Sequence, residues 1–366
     1  MKKMRRAILI VAGLGGVAAL SSWRLVKKID YAMSDAAEPS MDRVIAMTAT
    51  DTKMAYRAFG ATGMKVSEVG FGSWAIGGNA YGNVQRTDSM DALARAEELG
   101  CNFVDTAMVY GDAEDVLGAF LQGRRRKWLV ATKYSGQKPG LEATLESQLR
   151  RLRTDAVDFY QVHWAPGRDE QALYDALYRV KKAGKARAVG VSLKNEQDID
   201  YVLDHTEIDG FQVKFSLLDP YPVLSRLSRL RERRPAVIVR SSLREGFLTG
   251  KFTANSTFPD SNDQRSKLTR AEIAALVEAA EQFRFLERET QSMAIAAARY
   301  PLSFPEVSTV IMGTKSVAQA QSNYGLVPGA KLSAEALSGI FQRQRALGLH
   351  SRRRAILDLL RRLVSS

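Results

Sequence analysis

The sequence predicts an α/β fold, a single (β/α)8 TIM barrel with an N-terminal β-hairpin, and three observations lead to this prediction. Eight short apolar runs alternate with helical patterns, which is typical of parallel strands joined by crossover helices. Three consecutive runs end in polar side chains, as expected at the carboxyl end of a barrel, where functional groups collect. A glycine-punctuated segment that begins at Ala55, AYRAFGATGMKVSEV, precedes the first run and has the pattern of a hairpin.

Strands and helices are predicted to alternate along residues 54–331, which we assign to the barrel. The predicted strands are Val69–Gly72, Asn102–Thr106, Trp128–Lys133, Val157–His163, Ala186–Ser192, Phe211–Leu217, Ala236–Ser241 and Ser308–Met312. The predicted helices are Ser89–Leu99, Ala113–Gln122, Leu141–Leu152, Gln171–Lys182, Glu196–Asp204, Val223–Arg231, the longer region Thr269–Arg299, and Val317–Tyr324. Between strand 7 and that longer region, the stretch Glu245–Arg265 is rich in turn residues and predicts a long loop, a candidate lid over a ligand.

Composition limits the classes of function. With 366 residues, 45% apolar and 25% charged, the chain can bury a large core. Most of the net charge of +13 comes from the termini, since residues 1–53 hold nine Lys/Arg against five Asp/Glu and residues 332–366 hold seven against two. The barrel is therefore nearly balanced, so we expect no nucleic-acid partner. Cys101 is the single cysteine, which excludes an internal disulfide and a cysteine metal cluster, and no metal is expected.

The N-terminal segment has the pattern of a targeting sequence. Met1–Lys28 combines basic residues, the apolar run Ala7–Leu20 and further basic residues, and Arg5-Arg6 partly matches a twin-arginine signal. We therefore expect a signal or membrane anchor, a linker over residues 29–53, and a protein attached to or exported across a bacterial inner membrane, with a cytoplasmic location as the alternative. Because Met54 is a plausible natural start, residues 1–53 could instead be an untranslated extension.

Residues 332–366 predict a basic helical tail. A helix is expected over Ser333–Gly348. It is followed by an amphipathic segment with Arg residues alongside an apolar face formed by Ile356, Leu359, Leu360 and Leu363. Such a segment could lie on an anionic membrane surface, or it could pack on the barrel or on another subunit. The sequence leaves these alternatives and the oligomeric state open.

Four polar side chains fall at the ends of three consecutive strands. Asp105 and Tyr110 belong to NFVDTAMVYG, Lys133 to WLVATKY and His163 to DFYQVHW. The carboxyl ends of neighbouring parallel strands meet at one end of a barrel, so these groups are expected to lie together as a catalytic set. Each of them taken singly has an ordinary structural interpretation, such as a turn cap or a buried hydrogen-bonded side chain.

These segments resemble the aldo-keto reductase family over roughly Ala55–Val327. RAFGATGMKVSEVGFG resembles its opening hairpin and first strand, and the four polar positions occur in the family's order. Later landmarks are GKARAVGVS, GFQVKFSLL, GFLTGKF and VIMGTKSVAQAQSNYG. The resemblance implies a nicotinamide-dependent reduction of a carbonyl group.

The implied chemistry explains the four residue types. Hydride delivery leaves an alkoxide that must be protonated, and a tyrosine hydroxyl of pKa ~10 is a poor acid–base partner unless its phenolate is stabilised. Lys133 would supply that positive charge for Tyr110, and Asp105 would hold Lys133 in a buried ion pair. His163 would donate a hydrogen bond to the carbonyl oxygen.

The resemblance also implies cofactor contacts at the ends of later strands. Ser192 and Gln212 are expected at the nicotinamide amide, although Leu193 follows where many relatives have Asn. At strand 7, Arg240 occupies the position where the family often stacks an aromatic ring, and a guanidinium can also stack. The predicted cofactor-binding residues are Ser192, Gln212, Arg240, Ser241, Leu243, Gly313, Thr314, Lys315, Gln319 and Asn323.

The segment after strand 8 bears on the choice of cofactor. It leads from Gly313 into a helix that carries Gln319 and Asn323 one turn apart. Backbone N–H groups at a helix start suit an anionic group, and Lys315 suits a 2′-phosphate, so NADPH is favoured over NADH. An exposed lysine without such a role is the alternative.

The predicted function is the reversible, NADPH-dependent reduction of an aldehyde or ketone to an alcohol, with Tyr110 as general acid and base. The alternative is an NADPH-binding regulatory or redox-sensor subunit associated with a membrane partner, an interpretation that the basic termini keep open. The carbonyl substrate is not predicted, because loops shape the substrate pocket and their sequences carry no readable code.

Overall fold

The computed structural model describes residues 53–78, 84–136, 140–163, 171–194, 198–205, 207–261, 263–329 and 331–350. After a two-stranded hairpin, eight parallel strands close into a barrel, each hydrogen-bonded to its neighbours in sequence, and the last pairs with the first. The strands are β1 Tyr56–Ala58, β2 Lys65–Ser67, β3 Val69–Gly72, β4 Phe103–Asp105, β5 Leu129–Tyr134, β6 Val157–His163, β7 Ala186–Ser192, β8 Gly210–Lys214, β9 Ala236–Arg240 and β10 Thr309–Gly313. The predicted (β/α)8 barrel and its N-terminal hairpin are confirmed.

Helices surround the barrel and bury one face against it. They are α1 Arg86–Glu98, α2 Ala113–Phe120, α3 Leu141–Leu152, α4 Gln171–Lys182, α5 Ile199–Asp204, α6 Tyr221–Leu224, α7 Leu227–Arg233, α8 Arg270–Glu281, α9 Glu287–Thr290, α10 Met293–Leu302, α11 Val317–Gly325 and α12 Ala334–Ala346. In α4, Tyr174, Leu177 and Val180 are buried at a spacing of three residues, which places them on one side of the helix. The strands beneath are almost wholly buried, so the main core lies between barrel and helices.

The hairpin closes the amino-terminal end of the barrel. Strands β1 and β2 pair antiparallel, and Phe59, Met64 and Val66 pack on side chains from inside the barrel, including Phe103 and Phe159. This plug is apolar and is buried from solvent. The opposite, carboxyl-terminal end is the one that remains for a ligand.

Three predicted elements differ from the structure. Strand β8 ends at Lys214 and not at Leu217, because the Ser216 hydroxyl accepts the backbone N–H groups of Leu218 and Asp219 and closes a turn. The helix predicted over Val223–Arg231 forms as α6 and α7, and the region Thr269–Arg299 forms as α8, α9 and α10. Gln291, with φ of 60°, ends α9 and separates it from α10.

The predicted location at or across an inner membrane is wrong on the present structure. Within the described ranges, no helix is long and apolar enough to cross a membrane. The apolar run Ala7–Leu20 and the amphipathic segment after residue 350 both lie outside the described residues. The helix expected over Ser333–Gly348 forms as α12, and it packs on the barrel, where Gln344 Nε2 donates to the backbone oxygen of Leu217 at 2.8 Å.

Candidate active site

Three neighbouring strands bring the four predicted catalytic side chains together. Asp105 is the last residue of β4 and His163 is the last of β6, while Lys133 lies one residue before the end of β5. Tyr110 is on the loop that follows β4. Because β4, β5 and β6 are adjacent in the barrel, their carboxyl ends place all four groups at one end of the molecule.

Lys133 is the centre of this group. Its ammonium Nζ lies 2.6 Å from Asp105 Oδ2, 2.8 Å from the backbone oxygen of Thr106 and 3.4 Å from the Tyr110 hydroxyl. These three acceptors match the three protons of an ammonium group. Burial by itself lowers the pKa of Lys133, but the carboxylate of Asp105 and the neighbouring Tyr110 hydroxyl outweigh burial and the pKa is raised. The lysine is therefore a cation at neutral pH.

Asp105 is held by two amides as well as by Lys133. Its Oδ1 accepts Gln212 Nε2 at 2.8 Å and Gln161 Nε2 at 3.3 Å, and its Oδ2 accepts Lys133. The carboxylate is 1% exposed. The amide donors and the lysine thus satisfy both oxygens of this buried carboxyl group, as a buried polar group requires.

Tyr110 is held by contacts of its ring with two aromatic side chains and by its backbone. The ring lies edge-on to His163, with centroids 6.1 Å apart, and near Trp74, with centroids 6.0 Å apart. A Cβ at Gly77 would lie 1.8 Å from the Tyr110 backbone oxygen, so only glycine allows this approach. Burial raises the pKa of Tyr110, while the positive charge of Lys133 opposes that effect. The phenol is protonated at neutral pH.

His163 is a neutral imidazole in this environment. Burial, and then the positive charges of Lys133 and Arg240, lower its pKa to about 3. Its Nδ1 lies 3.1 Å from the hydroxyl of Ser135, which follows β5. A neutral ring carries one N–H, so His163 can donate one hydrogen bond and accept another.

A cavity of about 680 Å³ opens beside these groups. It runs from Tyr110 and His163 to Lys315 at the start of α11. The predicted residues that line it are Asp105, Tyr110, His163, Gln212, Arg240, Ser241, Leu243, Gly313, Lys315 and Gln319. The predicted residues that do not line it are Lys133, Ser192, Thr314 and Asn323.

Strands β8 and β9 contribute Gln212 and Arg240 to one wall of this cavity, and Ser192 at the end of β7 lies beside them without lining it. Ser192 Oγ is buried 3.5 Å from Gln212 Oε1, so it contacts the amide that holds Asp105. Arg240 Nη2 donates to the backbone oxygen of Leu193 at 2.8 Å, which ties its guanidinium to the end of β7. After Arg240 the chain turns sharply, with positive φ at Ser241 and from Arg244 to Gly246. Non-glycine residues in this conformation are uncommon and occur at functional sites.

The start of α11 forms the far wall. Gln319 Oε1 accepts the backbone N–H of Lys315 at 2.9 Å, and the Ser316 hydroxyl accepts that of Gln319. Two of the N–H groups predicted to bind an anion are thus already satisfied within the chain. Thr314 and Asn323 contact each other, with Asn323 Nδ2 3.0 Å from Thr314 Oγ1. Thr314 is buried, and its hydroxyl contacts α11 through Asn323.

Several residues that line the cavity were not predicted from the sequence. Ser73 and Trp74 follow β3, and the buried Ser73 Oγ has no hydrogen-bond partner among the described residues. Gln264 and Arg265 come from the far end of the predicted lid. Arg265 is positioned by Asp263 and by the ring of Phe258, whose centroid lies 4.4 Å from its guanidinium carbon. The lid prediction pointed to this stretch but not to these side chains.

The chain is thus a (β/α)8 barrel with a buried Lys–Asp pair beside a tyrosine and a neutral histidine at its carboxyl end. The chain belongs to the Aldo/keto reductase family, which it matches over residues 68–341. Members of this family are NAD(P)-dependent oxidoreductases. The targeting-like segment Met1–Lys28 lies outside the match.

Two relatives illustrate the similarity. L-galactose dehydrogenase of Arabidopsis thaliana is 30% identical over 296 residues, which are 75% of this chain and 89% of that protein. The solved structure of a glycerol dehydrogenase from Gluconobacter oxydans superposes with a TM-score of 0.67 at 25% identity, covering 79% of this chain and 94% of that one. The alternative role as a regulatory or sensor subunit gains no support from these relatives.

Relatives differ in the cofactor that their names state. One, from Escherichia coli and 26% identical over 298 residues, is an NADH-specific methylglyoxal reductase; the alignment covers 72% of this chain and 90% of that protein. Another, from Schizosaccharomyces pombe and 26% identical over 285 residues, carries NADP(+) in its name, with 71% and 83% covered. Family membership therefore establishes a nicotinamide cofactor without choosing between its two forms.

Proposed function

We propose that this chain catalyses the NADPH-dependent reduction of an aldehyde or ketone to an alcohol, with Tyr110 as the proton donor and, in the reverse reaction, the proton acceptor. The observation that carries the proposal is the position of Lys133 Nζ, 2.6 Å from Asp105 and 3.4 Å from the Tyr110 hydroxyl. A buried cation beside a phenol stabilises the phenolate that proton donation leaves behind.

Each of the four side chains has a separate task in this proposal. A bound nicotinamide cofactor supplies the hydride. Tyr110 gives its proton to the oxygen of the reduced carbonyl, and Lys133 stabilises the negative charge left on the phenol. Asp105 keeps Lys133 charged and in place. His163, neutral at physiological pH, donates an N–H to the same oxygen; if its Nδ1 accepts the Ser135 hydroxyl proton, the donor is Nε2–H.

The cavity fits a dinucleotide in its chemistry. The buried Ser73 Oγ, which has no hydrogen-bond partner in the described part of the chain, offers a donor and acceptor beside the catalytic end. Arg240 and Arg265 add positive charge along the wall, and Lys315 lies at the far end, near Gln319. A phosphorylated ligand needs such charges, since guanidinium and ammonium groups bind phosphate through charge-assisted hydrogen bonds. Lys315 would contact the 2′-phosphate and so favour NADPH over NADH.

The test is a screen of aldehydes and ketones in which oxidation of NADPH and of NADH is followed with the purified full chain. We expect turnover with at least one carbonyl substrate and a preference for NADPH. The Tyr110→Phe variant serves as control, because it keeps the cavity and lacks only the hydroxyl. Binding of NADPH without turnover of any carbonyl in the panel would contradict the proposal.

A further inference from the structure

Gln161 is a buried glutamine in the barrel interior, two residues before His163 on β6. Its side chain is shielded from solvent. In the strand register it lies opposite Lys133 on β5 and opposite Gly190 on β7. Its Nε2 donates to Asp105 Oδ1 at 3.3 Å, and its Oε1 has no hydrogen-bond partner among the described residues. The nitrogen of this amide is therefore bonded to the carboxylate of Asp105, and its oxygen has no partner within the described ranges.

The orientation of the amide follows from electrostatics. Exchanging the oxygen and nitrogen would place Oε1 against the carboxylate oxygen of Asp105, and two acceptors repel each other. On the β7 side, Gly190 offers no side chain, and a Cβ there would lie 2.2 Å from the backbone oxygen of Gly210. At this register position, β7 thus provides no side-chain donor for Oε1.

Such an amide is unfavourable for stability. A buried polar atom without a partner costs free energy, and an apolar side chain of the same shape avoids that cost. A methionine at this position would fill similar space with an unbranched chain. A glutamine here consequently needs a reason other than stability, and the hydrogen bond that its side chain makes to the residues described in the structure goes to Asp105.

We propose that Gln161 is a positioning residue that acts on Tyr110 through Asp105 and Lys133. This inference rests on the proposed role of Tyr110 as proton donor. By donating to Oδ1, the amide fixes the carboxylate so that Oδ2 faces Lys133, and it draws negative charge away from the lysine. Gln212 makes the second such bond, at 2.8 Å, so both glutamines hold the carboxylate of Asp105 in place.

The direction of the effect follows from the charges around Tyr110. The groups that face it are Asp105 from β4, Lys133 from β5, His163 from β6 and Arg240 from β9. Asp105 raises the pKa of Tyr110, and Lys133 and Arg240 lower it. Loss of the Gln161 donor leaves more negative charge on Asp105, which disfavours the phenolate. The pKa of Tyr110 therefore rises when the amide is removed.

The test is the Gln161→Met variant of the full chain, studied with saturating NADP⁺ and an alcohol that the wild-type enzyme oxidises. In this direction Tyr110 must lose its proton, and the positive charge of the oxidised ring favours that loss. We expect the midpoint of the pH dependence of kcat to move upward by about half a pH unit. We also expect the melting temperature to stay the same or rise.

Gln344→Met is the matched control. Gln344 is also a fully buried glutamine, but it lies on α12, away from the catalytic group, and its amide is bonded to Leu217 and to Tyr300. Its replacement removes satisfied hydrogen bonds. We expect a lower melting temperature and no displacement of the pH dependence.

The outcomes separate this inference from the proposed function. If Tyr110→Phe abolishes turnover and Gln161→Met leaves the midpoint in place, the positioning role is wrong while the proposed function stands. A Gln161→Met variant that loses stability with an unmoved midpoint means that the glutamine is only structural. If Tyr110→Phe retains turnover with an unaltered pH dependence, both proposals fall together.

Discussion

Lys133 Nζ lies 2.6 Å from Asp105 Oδ2, and both side chains are shielded from solvent at the carboxyl end of the barrel. Burying two charges is unfavourable unless they are paired and further hydrogen-bonded. Asp105 meets this condition with Gln161 and Gln212, and Lys133 meets it with the backbone oxygen of Thr106. The ammonium group of Lys133 therefore remains a stable positive charge beside Tyr110. The proposed reaction requires this charge to stabilise the phenolate.

Replacing Lys133 with methionine should reduce carbonyl reduction by at least about 10²-fold, because the phenolate loses its counter-charge. It should also lower the free energy of unfolding by about 3–5 kcal/mol, since Asp105 is left as an uncompensated buried charge. Steady-state kinetics and urea unfolding measure the two effects.

The double variant Lys133→Met, Asp105→Asn separates these effects. Without a charge on either side chain, much of the lost stability should return while activity stays low. Recovery of activity in the double variant would show that Lys133 acts only by balancing Asp105.

Lys315→Ala should weaken NADPH binding by ~1.5–3 kcal/mol, the usual contribution of a charge-assisted hydrogen bond, and should leave NADH binding nearly unchanged. Fluorescence titration of both cofactors measures the difference. Lys182→Ala, at an exposed lysine before β7 on the opposite end of the barrel, is the control and should alter neither. Equal losses for NADPH and NADH would mean that Lys315 does not contact the 2′-phosphate.

His163 should make the protein less stable as the pH falls. Its pKa in the folded protein is lowered to about 3, whereas an unfolded chain has the ordinary value of ~6.5. Between these two values the unfolded state binds more protons, so stability decreases as the pH drops below the unfolded pKa. From pH ~6.5 to ~5 this one group should cost roughly 1.5 kcal/mol.

Urea unfolding of the wild type and of His163→Asn at these two pH values measures that contribution. The variant should lose less stability on acidification by about the same roughly 1.5 kcal/mol. An identical loss in both proteins would mean that His163 is not kept neutral by its surroundings.

Gly77→Ala should impair catalysis by moving Tyr110. The added methyl group would lie 1.8 Å from the Tyr110 backbone oxygen, so the loop that carries the tyrosine has to shift. A misplacement of about 1 Å can cost around 10²-fold in rate. In Gly325→Ala, by contrast, the nearest atom is the end of the flexible Gln321 side chain, and the rate should be unchanged. Equal rates in both variants would show that the position of Tyr110 does not limit the reaction.

The sequence was sufficient for the barrel and for bringing Asp105, Tyr110, Lys133 and His163 to one end of it. Strand β6 was predicted with its exact bounds, Val157–His163, because an apolar run ends there in a polar residue. Strand β8 was predicted too long, because Phe215, Leu217 and Leu218 are apolar although the Ser216 hydroxyl closes a turn there. Hydropathy does not reveal a side-chain hydrogen bond that ends a strand.

Residues that reach the site only through tertiary contacts could not be identified from the sequence. Gln161 lies within a buried strand, and only the barrel closure brings it to Asp105. Arg265 reaches the cavity from the end of a long loop, with its guanidinium held by Asp263. Thr314 was predicted to contact the cofactor, yet it lies behind the cavity wall, 2.9 Å from the Tyr324 hydroxyl. The direction in which the Thr314 side chain points depends on how α11 packs.

The role of Tyr110 as proton donor can be measured by comparing Tyr110→Phe with the wild type in single-turnover carbonyl reduction. NADPH affinity is measured on the same samples. The variant lacks only a hydroxyl, so the affinity for NADPH should change little. The rate of reduction should fall by about 10²–10⁴-fold, the usual contribution of a general acid. A variant that binds NADPH normally and reduces the carbonyl at the wild-type rate would show that Tyr110 is not the proton donor.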